Sequence, residues 1–287
     1  MQDIQIVSAN LSNVVFQSFL YGFLVLLFLA TIYFLAMRRT LAGTTHTIRR
    51  NFASPPFVAV AVLFCLVTVY WAIVVHQVFL TFIGLGTIAT EAAFYQDLVE
   101  PTEIGKEIVT CVSVLVGDAL VIYRLWIIWG RSRNVVIFPV LALIGFTVAF
   151  AGSLVELARL RGRLFPQNSL PWETTGFTLN LLGNLYSTGC IIWKVSRSKH
   201  SSESRLTWFL SILVESAALQ TSWLLFTMIT LLYGSPLTFI ALENLNVVTG
   251  IANTLIHVRV GLGCAHEHVH VHDFGPVRLK TTSESSV

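Results

Sequence analysis

Residues 117–130, GDALVIYRLWIIWG, decide the fold class of this chain. The stretch is mostly apolar, yet it contains Asp118 and Arg124. Over the whole chain 55% of residues are hydrophobic and only 11% are charged, whereas soluble domains carry roughly a quarter charged residues. A chain of 287 residues with so little charge has too few polar side chains to cover a water-soluble surface. The sequence therefore predicts an all-α integral membrane protein.

Seven apolar stretches are long enough to cross a bilayer, since a transmembrane helix needs about 20 apolar residues. They are Val14–Met37, Phe57–Ile83, Glu107–Trp129, Val135–Leu157, Thr174–Val195, Leu206–Tyr233 and Leu237–Val260. The predicted domains are an extracellular segment at residues 1–13, a seven-helix transmembrane bundle at 14–260 and a cytosolic tail at 261–287. Residues 1–13 are polar and slightly acidic, so the first stretch is interpreted as a retained anchor rather than a cleaved signal peptide.

Basic residues set the predicted orientation, because cytoplasmic loops carry an excess of Lys and Arg. The side that holds the C-terminus carries Arg38, Arg39, Arg49, Arg50, Arg131, Arg133, Lys194, Arg197, Lys199, Arg205, Arg259, Arg278 and Lys280. The opposite side carries Lys106, Arg159, Arg161 and Arg163. This bias places the N-terminus outside and the C-terminus in the cytosol, with the plasma membrane as the expected location. The formal charge of +3 is explained by these basic residues of the cytosolic side, and the sequence does not indicate a basic patch that would bind nucleic acid.

Three short patterns mark candidate modification or metal sites outside the spans. Asn10 begins an Asn-Leu-Ser glycosylation acceptor pattern on the predicted outer side. Cys264 follows the last stretch on the cytosolic side, where either palmitoylation or an unmodified thiol is expected. The tail sequence CAHEHVHVH contains His266, His268, His270 and His272. Imidazoles bind zinc or copper, so these are candidate metal ligands, the alternative being a flexible, pH-sensitive tail.

Polar residues inside the apolar stretches are the main indications of function, since charge within a membrane normally faces a partner or water. The seventh stretch carries Glu243, Asn246, Gly250, Asn253 and His257 at spacings that place them on one helix face. Similar faces are Cys111, Asp118 and Leu125 in the third stretch, Asn180, Asn184 and Ser187 in the fifth, and Ser211, Glu215 and Ser222 in the sixth. We expect all four faces to point into the bundle.

Arg124 needs a partner within the membrane. Arg124 lies about 7 Å and Glu215 roughly 13 Å from the predicted cytosolic ends of their stretches, a difference that an arginine side chain can span, which favours an ion pair between the third and sixth helices. The alternative is that Arg124 extends to lipid headgroups. Asp118 and Glu243 have no obvious cation within the spans. His76 is one candidate partner, and protonation or a bound cation are the alternatives.

Two stretches resemble signatures of a large group of seven-helix membrane proteins found in mushroom-forming fungi. They are GDALVIYRLWIIWG at residues 117–130 and TLIHVRVGLG at Thr254–Gly263. The resemblance extends from the first apolar stretch to the seventh and implies a fold similar in topology to G-protein-coupled receptors. Related chains are expected to have proline where this one has Asn253, so a kink in the seventh helix is not predicted here.

The comparison with receptors concerns two positions. Arg124 occupies a place like that of the arginine at the inner end of receptor helix 3, although Tyr123 precedes it instead of an acid. Asn253 begins a segment located where receptors carry Asn-Pro-x-x-Tyr, and this chain lacks both the proline and the tyrosine. No disulfide is predicted on the outer side, because the loop after the fourth stretch contains no cysteine to meet Cys111.

Four functions compete at this stage: an orphan receptor, a proton-coupled or cation transporter, a membrane enzyme and a non-catalytic scaffold. For the receptor, candidate ligand contacts are Asp118, Asn180, Asn184, Glu243, Asn246 and His76, and candidate switch residues are Arg124, Glu215, Asn253 and His257. A small-molecule or peptide ligand and a cytosolic partner such as a G protein are expected. The sequence contains none of GxGxxG, GxxxxGK[ST] or HExxH, so we expect neither an enzyme nor a cofactor.

Overall fold

The computed structural model describes residues 2–42, 55–80, 101–159, 170–197, 203–235 and 237–273. Side chains are described over 11–36, 55–80, 102–156, 171–194, 196–197, 214–235 and 237–259. These parts of the chain form seven α-helices. They are α1 (Gln2–Ala42), α2 (Pro55–Phe79), α3 (Pro101–Ile128), α4 (Asn134–Arg159), α5 (Leu170–Arg197), α6 (Glu203–Leu232) and α7 (Leu237–Asp273).

Within the described residues, five helices are long and apolar enough to cross a membrane, which makes the chain a multi-pass integral membrane protein. The spans are Leu11–Ala36, Pro55–Phe79, Thr102–Ile128, Asn134–Glu156 and Leu237–Arg259. The other two predicted spans, in α5 and α6, do not reach this criterion. The α5 helix is long enough, but Asn180, Asn184 and several Ser and Thr residues lower its hydropathy. In α6, only the side chains from Val214 onward are described.

Helices that are consecutive in sequence pack against one another, and α7 packs against α1 to close the bundle. The α3 helix also packs against α5 and α7, and α7 also packs against α2. Asn244 near the start of α7 donates to Asn13 near the start of α1 at 2.8 Å, which fixes the closing contact. The α3 and α7 helices are thus the central ones, and any polar group on them is surrounded by other helices.

Side-chain contacts show that successive helices run in opposite directions. Gln77 at the end of α2 bonds Glu103 at the start of α3, whereas Lys106 near the start of α3 bonds Glu243 near the start of α7. Trp129, just after α3, likewise donates to the carbonyl of Cys190 near the end of α5. We call the end where α3, α5 and α7 begin the Glu243 end. The opposite end of the described bundle, where α3 finishes, is the Arg124 end.

The outer faces of the bundle are apolar. On α1, Phe19 and Leu26 are exposed, and on α4 so are Leu141 and Val148. The interior also contains many apolar side chains, in clusters such as Leu24, Val67, Val247 and Ile251, where α1, α2 and α7 meet. Exposed apolar side chains are unfavourable in water but favourable in contact with lipid. They therefore agree with a bilayer around the bundle.

Two tight connections join helices without long loops. After α3, Gly130 has φ of 61° and Arg131 has φ of 66°, and the Arg131 amide donates back to Trp126 at 2.8 Å. After α6, Gly234 has φ of 59° and the Ser235 amide donates back across the same kind of turn at 3.1 Å. Both are Schellman-type helix ends, in which glycine adopts the left-handed conformation at low cost. They hold α3 beside α4 and α6 beside α7.

Helix boundaries differ from the predicted ones at three places. The α3 helix begins at Pro101, so Lys106, which the sequence placed in an outer loop, lies in its second turn. Proline is favoured at the first position of a helix because it has no amide hydrogen to leave unpaired. The α1 helix also includes most of the predicted N-terminal segment, and α7 continues into the predicted tail as far as Asp273. Apolar patterning marks where a helix enters lipid and not where the helix itself begins or ends.

Candidate functional site

A buried ionic network joins α2, α3 and α7 at the Glu243 end. The Nζ atom of Lys106 lies 3.0 Å from Oε1 of Glu243 and 2.9 Å from Oε2 of Glu103. Tyr70 donates to the other oxygen of Glu243 at 2.5 Å. Gln77 donates to Glu103 at 2.8 Å. We call these five residues the Lys106 network.

Burial makes the Lys106 network important for the bundle. The side chains of Lys106, Glu103 and Glu243 are only 8%, 15% and 13% exposed. An ion pair removed from solvent is screened little, and removal of one member leaves an unpaired charge that is costly to bury. Glu103 and Lys106 are one turn apart on α3, so that helix supplies one acid and the cation while α7 supplies the second acid.

A second polar group, which we call the Asp118 cluster, lies deeper in the bundle. Asn180 donates to Oδ2 of Asp118 at 2.5 Å, and Asn184 donates to Oδ1 at 2.9 Å. Gln220 of α6 approaches the same carboxylate at 3.5 Å. Asp118 is 7% exposed, and the side chains that bond it here are neutral amides. The faces predicted for α3 and α5 are therefore correct in pointing inward, and they meet at this carboxylate.

The α3 and α7 helices touch between these two groups. A Cβ atom at Gly117 would lie 2.6 Å from Cγ2 of Thr249 and 3.3 Å from Nδ2 of Asn253. Asn246, predicted as a ligand contact, is fully buried on α7, and both of its side-chain amide atoms lack a hydrogen-bond partner. The face predicted for α7 thus points inward. It runs from Glu243 past the Gly117 contact to His257.

Arg124 lies beyond the Asp118 cluster, towards the Arg124 end. Its Nη2 atom is buried without a hydrogen-bond partner, and so is Nε2 of His257, which lies within electrostatic range of Arg124. Arg124 lines a cavity of about 30 Å³ between α3, α5, α6 and α7, which we call the Arg124 cavity. Polar residues that also line it include Asn184, Thr188, Ser216, Gln220 and Asn253.

A smaller cavity of about 10 Å³ lies on the other side of Asp118, between α3, α4 and α5. A water molecule needs roughly 10–15 Å³ of such space, whereas pockets for organic ligands measure about 300–1,000 Å³. Both cavities therefore have the size of water or a single ion. Neither of these two cavities accommodates an organic ligand.

Glu215 pairs with Arg259 of α7 and not with Arg124, so the predicted ion pair is wrong. Two nitrogens of Arg259 bond both oxygens of Glu215, one of them at 2.6 Å. The Glu215 side chain is 59% exposed, and Ser222, predicted on the same inward face, is exposed as well. The buried polar face of α6 instead carries Ser216, Gln220 and Thr227. Counting residues along α6 gave the depth of Glu215 in the bundle but not the direction in which its side chain points.

His76 is exposed on α2, so its predicted contact with a buried acid is wrong. The adjacent Gln77 takes the buried position. Among the described cysteines, Cys65, Cys111 and Cys190 are free. The candidate side chains of Asn10, Ser211, Cys264, His266, His268, His270 and His272 lie outside the described side chains. The side chains that are described form no group of three or more His, Cys, Asp or Glu suited to a metal ion.

Sequence reasoning missed Tyr70, Glu103, Lys106 and Gln220. Lys106 and Glu103 were assigned to a loop, although they lie only one and four residues before the predicted start of the third span. A helix extended by two turns before Glu107 would have revealed both charges. Tyr70 and Gln220 have no such signal, because a single Tyr or Gln in an apolar helix is equally compatible with an inward or outward direction. No family model, curated protein or solved structure matches this chain.

Proposed function

We propose that the protein is a receptor-like signalling protein of the plasma membrane, with its N-terminus outside. The observation that carries this proposal is the arrangement of polar groups along α3 and α7. The two helices are joined by the Lys106–Glu243 pair at one end and touch at Gly117. At the other end they present Arg124 and His257, each with a buried nitrogen that has no hydrogen-bond partner. A change in the pair at one end therefore has a direct mechanical route to the other.

A ligand acts, in this proposal, by competing for the Lys106 network from the outer side. A carboxylate would replace Glu243 beside Lys106, and an amine would replace Lys106 beside Glu243. In either case the ion pair between α3 and α7 is exchanged for contacts with the ligand. A ligand shifts a conformational equilibrium only through such a difference in its interactions with the two states. Asp118, Asn180 and Asn184 then support the helices and do not contact the ligand.

The resemblance to seven-helix proteins of mushroom-forming fungi supports the same proposal. So does the closed packing order, in which α3 and α7 are central and α7 returns to α1. Aromatic and basic side chains at the Arg124 end agree with a cytosolic interface: Lys194 lies 5.2 Å from the ring centre of Trp129, and Arg197 lies 5.6 Å from that of Trp193. Trp and basic residues are enriched at that boundary of a membrane.

The proposal is tested by nucleotide exchange on a panel of heterotrimeric G proteins, using membranes that contain the full chain. Glu243→Gln and Lys106→Met break the ion pair without a ligand, so we expect each to raise the basal exchange rate on one G protein. Arg124→Gln combined with Glu243→Gln should remove that rise, because the signal leaves the bundle at the Arg124 end.

Glu215→Gln is the control, since the Glu215 carboxylate is exposed and pairs with Arg259, away from the Lys106 network. It should leave the exchange rate unchanged. If Glu243→Gln and Lys106→Met reach the membrane and alter exchange on none of the G proteins, signalling through them is excluded as the role of the network. A scaffold, in which polar residues only join helices, would then be the better interpretation.

Asp118 favours a second function, transport of protons or small cations. Its carboxylate bonds neutral amides, and the water-sized cavities on either side are lined by Asp118 itself or by the amides that bond it. Ionisable groups of this kind within a membrane mark ion pathways. Liposomes that contain the protein and a pH-sensitive dye should then show flux that Asp118→Asn abolishes and Glu215→Gln preserves. A lack of flux under an imposed gradient would exclude proton transport.

A further inference from the structure

We infer that the Arg124 cavity is a binding site for a monatomic inorganic anion such as chloride. The site lies between α3, α5, α6 and α7, on the side of the Asp118 cluster that is towards the Arg124 end. It stands apart from the proposed signalling role, because it rests on the surroundings of one guanidinium group. Arg124 is always charged, since a guanidinium does not release its proton in a protein.

The guanidinium of Arg124 needs a counter-charge inside the bundle. The Nη2 atom of Arg124 is buried and bonded by none of the described acceptors. Glu215, the acid that the sequence paired with Arg124, is held by Arg259 on the outside of the bundle. Asp118, six residues before Arg124 on α3, is bonded by Asn180, Asn184 and Gln220. A charge without a partner inside a membrane bundle is costly, so Arg124 requires an anion from elsewhere.

The size of the Arg124 cavity limits the ligands that it can accept. The Arg124 cavity measures about 30 Å³. Roughly 10–15 Å³ of such space accommodates one water molecule, so the cavity accepts a monatomic ion with a water beside it. A lipid phosphate with its ester chains does not fit. A carboxylate of a partner protein would have to bring its backbone between the helices.

The side chains that line the Arg124 cavity suit an anion. Arg124 supplies a charged donor, and Thr188 supplies a hydroxyl group. The amide of Gln220 makes only a 3.5 Å contact to Asp118, and that of Asn253 has one hydrogen bonded to the carbonyl of Thr249, which leaves a second N–H. Neutral donors around one cation stabilise an anion and do not suit a second cation.

The Arg124 end of the bundle carries several basic residues that attract anions. The described basic residues near the Arg124 end include Arg131, Arg133, Lys194 and Arg197. Such a surface raises the local concentration of anions in the adjoining water. Ile192, near this end of α5, lines the Arg124 cavity. We therefore expect an anion to reach Arg124 from the basic side of the bundle.

The test uses the purified full chain in lipid nanodiscs with chloride, bromide and gluconate exchanged at constant ionic strength. Broadening of the ³⁵Cl resonance reports bound chloride, and tryptophan fluorescence reports thermal unfolding. We expect saturable broadening and a halide-dependent rise in Tm, since a ligand that binds only the folded state stabilises it. Arg124→Gln should weaken chloride binding by about tenfold or more, because a charge-assisted hydrogen bond is lost.

Ala217→Leu provides an independent variant, because it fills the cavity and leaves every charged group in place. It should also abolish the broadening. Arg131→Gln is the matched control, since Arg131 is exposed, and it should bind chloride as the unmodified chain does. The inference is overturned if chloride does not broaden saturably with the unmodified chain, or if broadening persists in Ala217→Leu.

Discussion

At the level of single residues, the bundle treats its buried charges in different ways. Lys106 has two carboxylates within 3.0 Å, whereas Arg124 has an unpartnered nitrogen beside a cavity. Glu215 and Arg259 form a well-aligned pair, but it is exposed and is expected to contribute little to stability. Burial, and not the number of ion pairs, decides which of these charges the fold depends on.

The Lys106 network gives the first prediction. Lys106→Met leaves Glu103 and Glu243 facing each other without a cation, so it should lower the free energy of unfolding by about 3–5 kcal/mol. Glu243→Gln should also destabilise the protein, and the double variant should lose less than the two single losses combined. Unfolding of the purified chain in a mixed-micelle titration measures all three. Strictly additive losses would show that Lys106 and Glu243 do not act as a pair.

Residue-scale prediction from the sequence succeeded for inward direction and failed for partners. Asp118, Asn180 and Asn184 were each predicted to point inward, because spacing of three or four residues defines a helix face. Arg124 was given the wrong partner, because depth along a helix was known and rotation about its axis was not. The partner of Glu243 was missed because Lys106 lay outside the predicted span.

At the level of elements, the close contact between α3 and α7 depends on one small residue. Gly117 has no side chain, and Thr249 occupies the place where one would be. Glycine costs helix stability, but it lets two helices approach in lipid, where no hydrophobic effect drives them together. The contact fixes the spacing of α3 and α7 midway between the Lys106 network and the Arg124 cavity.

Gly117→Ala is therefore expected to force the two helices apart and lower the free energy of unfolding by about 1–3 kcal/mol. Adding Thr249→Ser removes the methyl group that the new Cβ would meet and keeps the hydroxyl, so it should restore much of the loss. Gly22→Ala is the control, since nothing lies within 4 Å of a Cβ there. Thermal unfolding compares the variants, and a rescue that fails would place the strain elsewhere.

Elements could be predicted in approximate position, since each of the seven apolar stretches corresponds to one helix in the part of the chain that the structure describes. The inward faces of α3, α5 and α7 were also predictable, because each carries Asn or an acid that is costly in lipid. The face of α6 was not. Ser216 and Gln220 compete with Glu215 and Ser222 for the interior, and the sequence alone does not say which pair another helix covers.

At the level of the whole molecule, the packing order and the alternating directions of the helices agree with a bundle that threads a bilayer. Five helices qualify as spans on their own composition. The α5 helix buries Asn180 and Asn184 against Asp118, so its hydropathy is low because its polar side chains face the interior. A scale that averages over the whole helix does not detect this difference between faces.

The orientation of the bundle gives the third prediction. An N-glycosylation acceptor engineered into residues 81–100 should be modified during synthesis into microsomes, and one in residues 198–202 should not. Basic residues concentrated at the Arg124 end provide the physical reason, since they are retained on the cytosolic side. The reverse pattern would place the N-terminus in the cytosol and the Lys106 network at the inner face.

The hydrogen bond between Asn13 and Asn244 has a consequence for the order of events during synthesis. Its two residues are 231 positions apart, so the bond cannot form until the ribosome has synthesised the start of α7. At about 5–20 residues per second, that interval is on the order of tens of seconds. Throughout it, Asn13 lacks this partner and faces lipid, an insertion factor or another nascent chain. A ribosome that stalls before α7 therefore leaves a fragment with an unpaired polar side chain in the membrane, where such a group is costly.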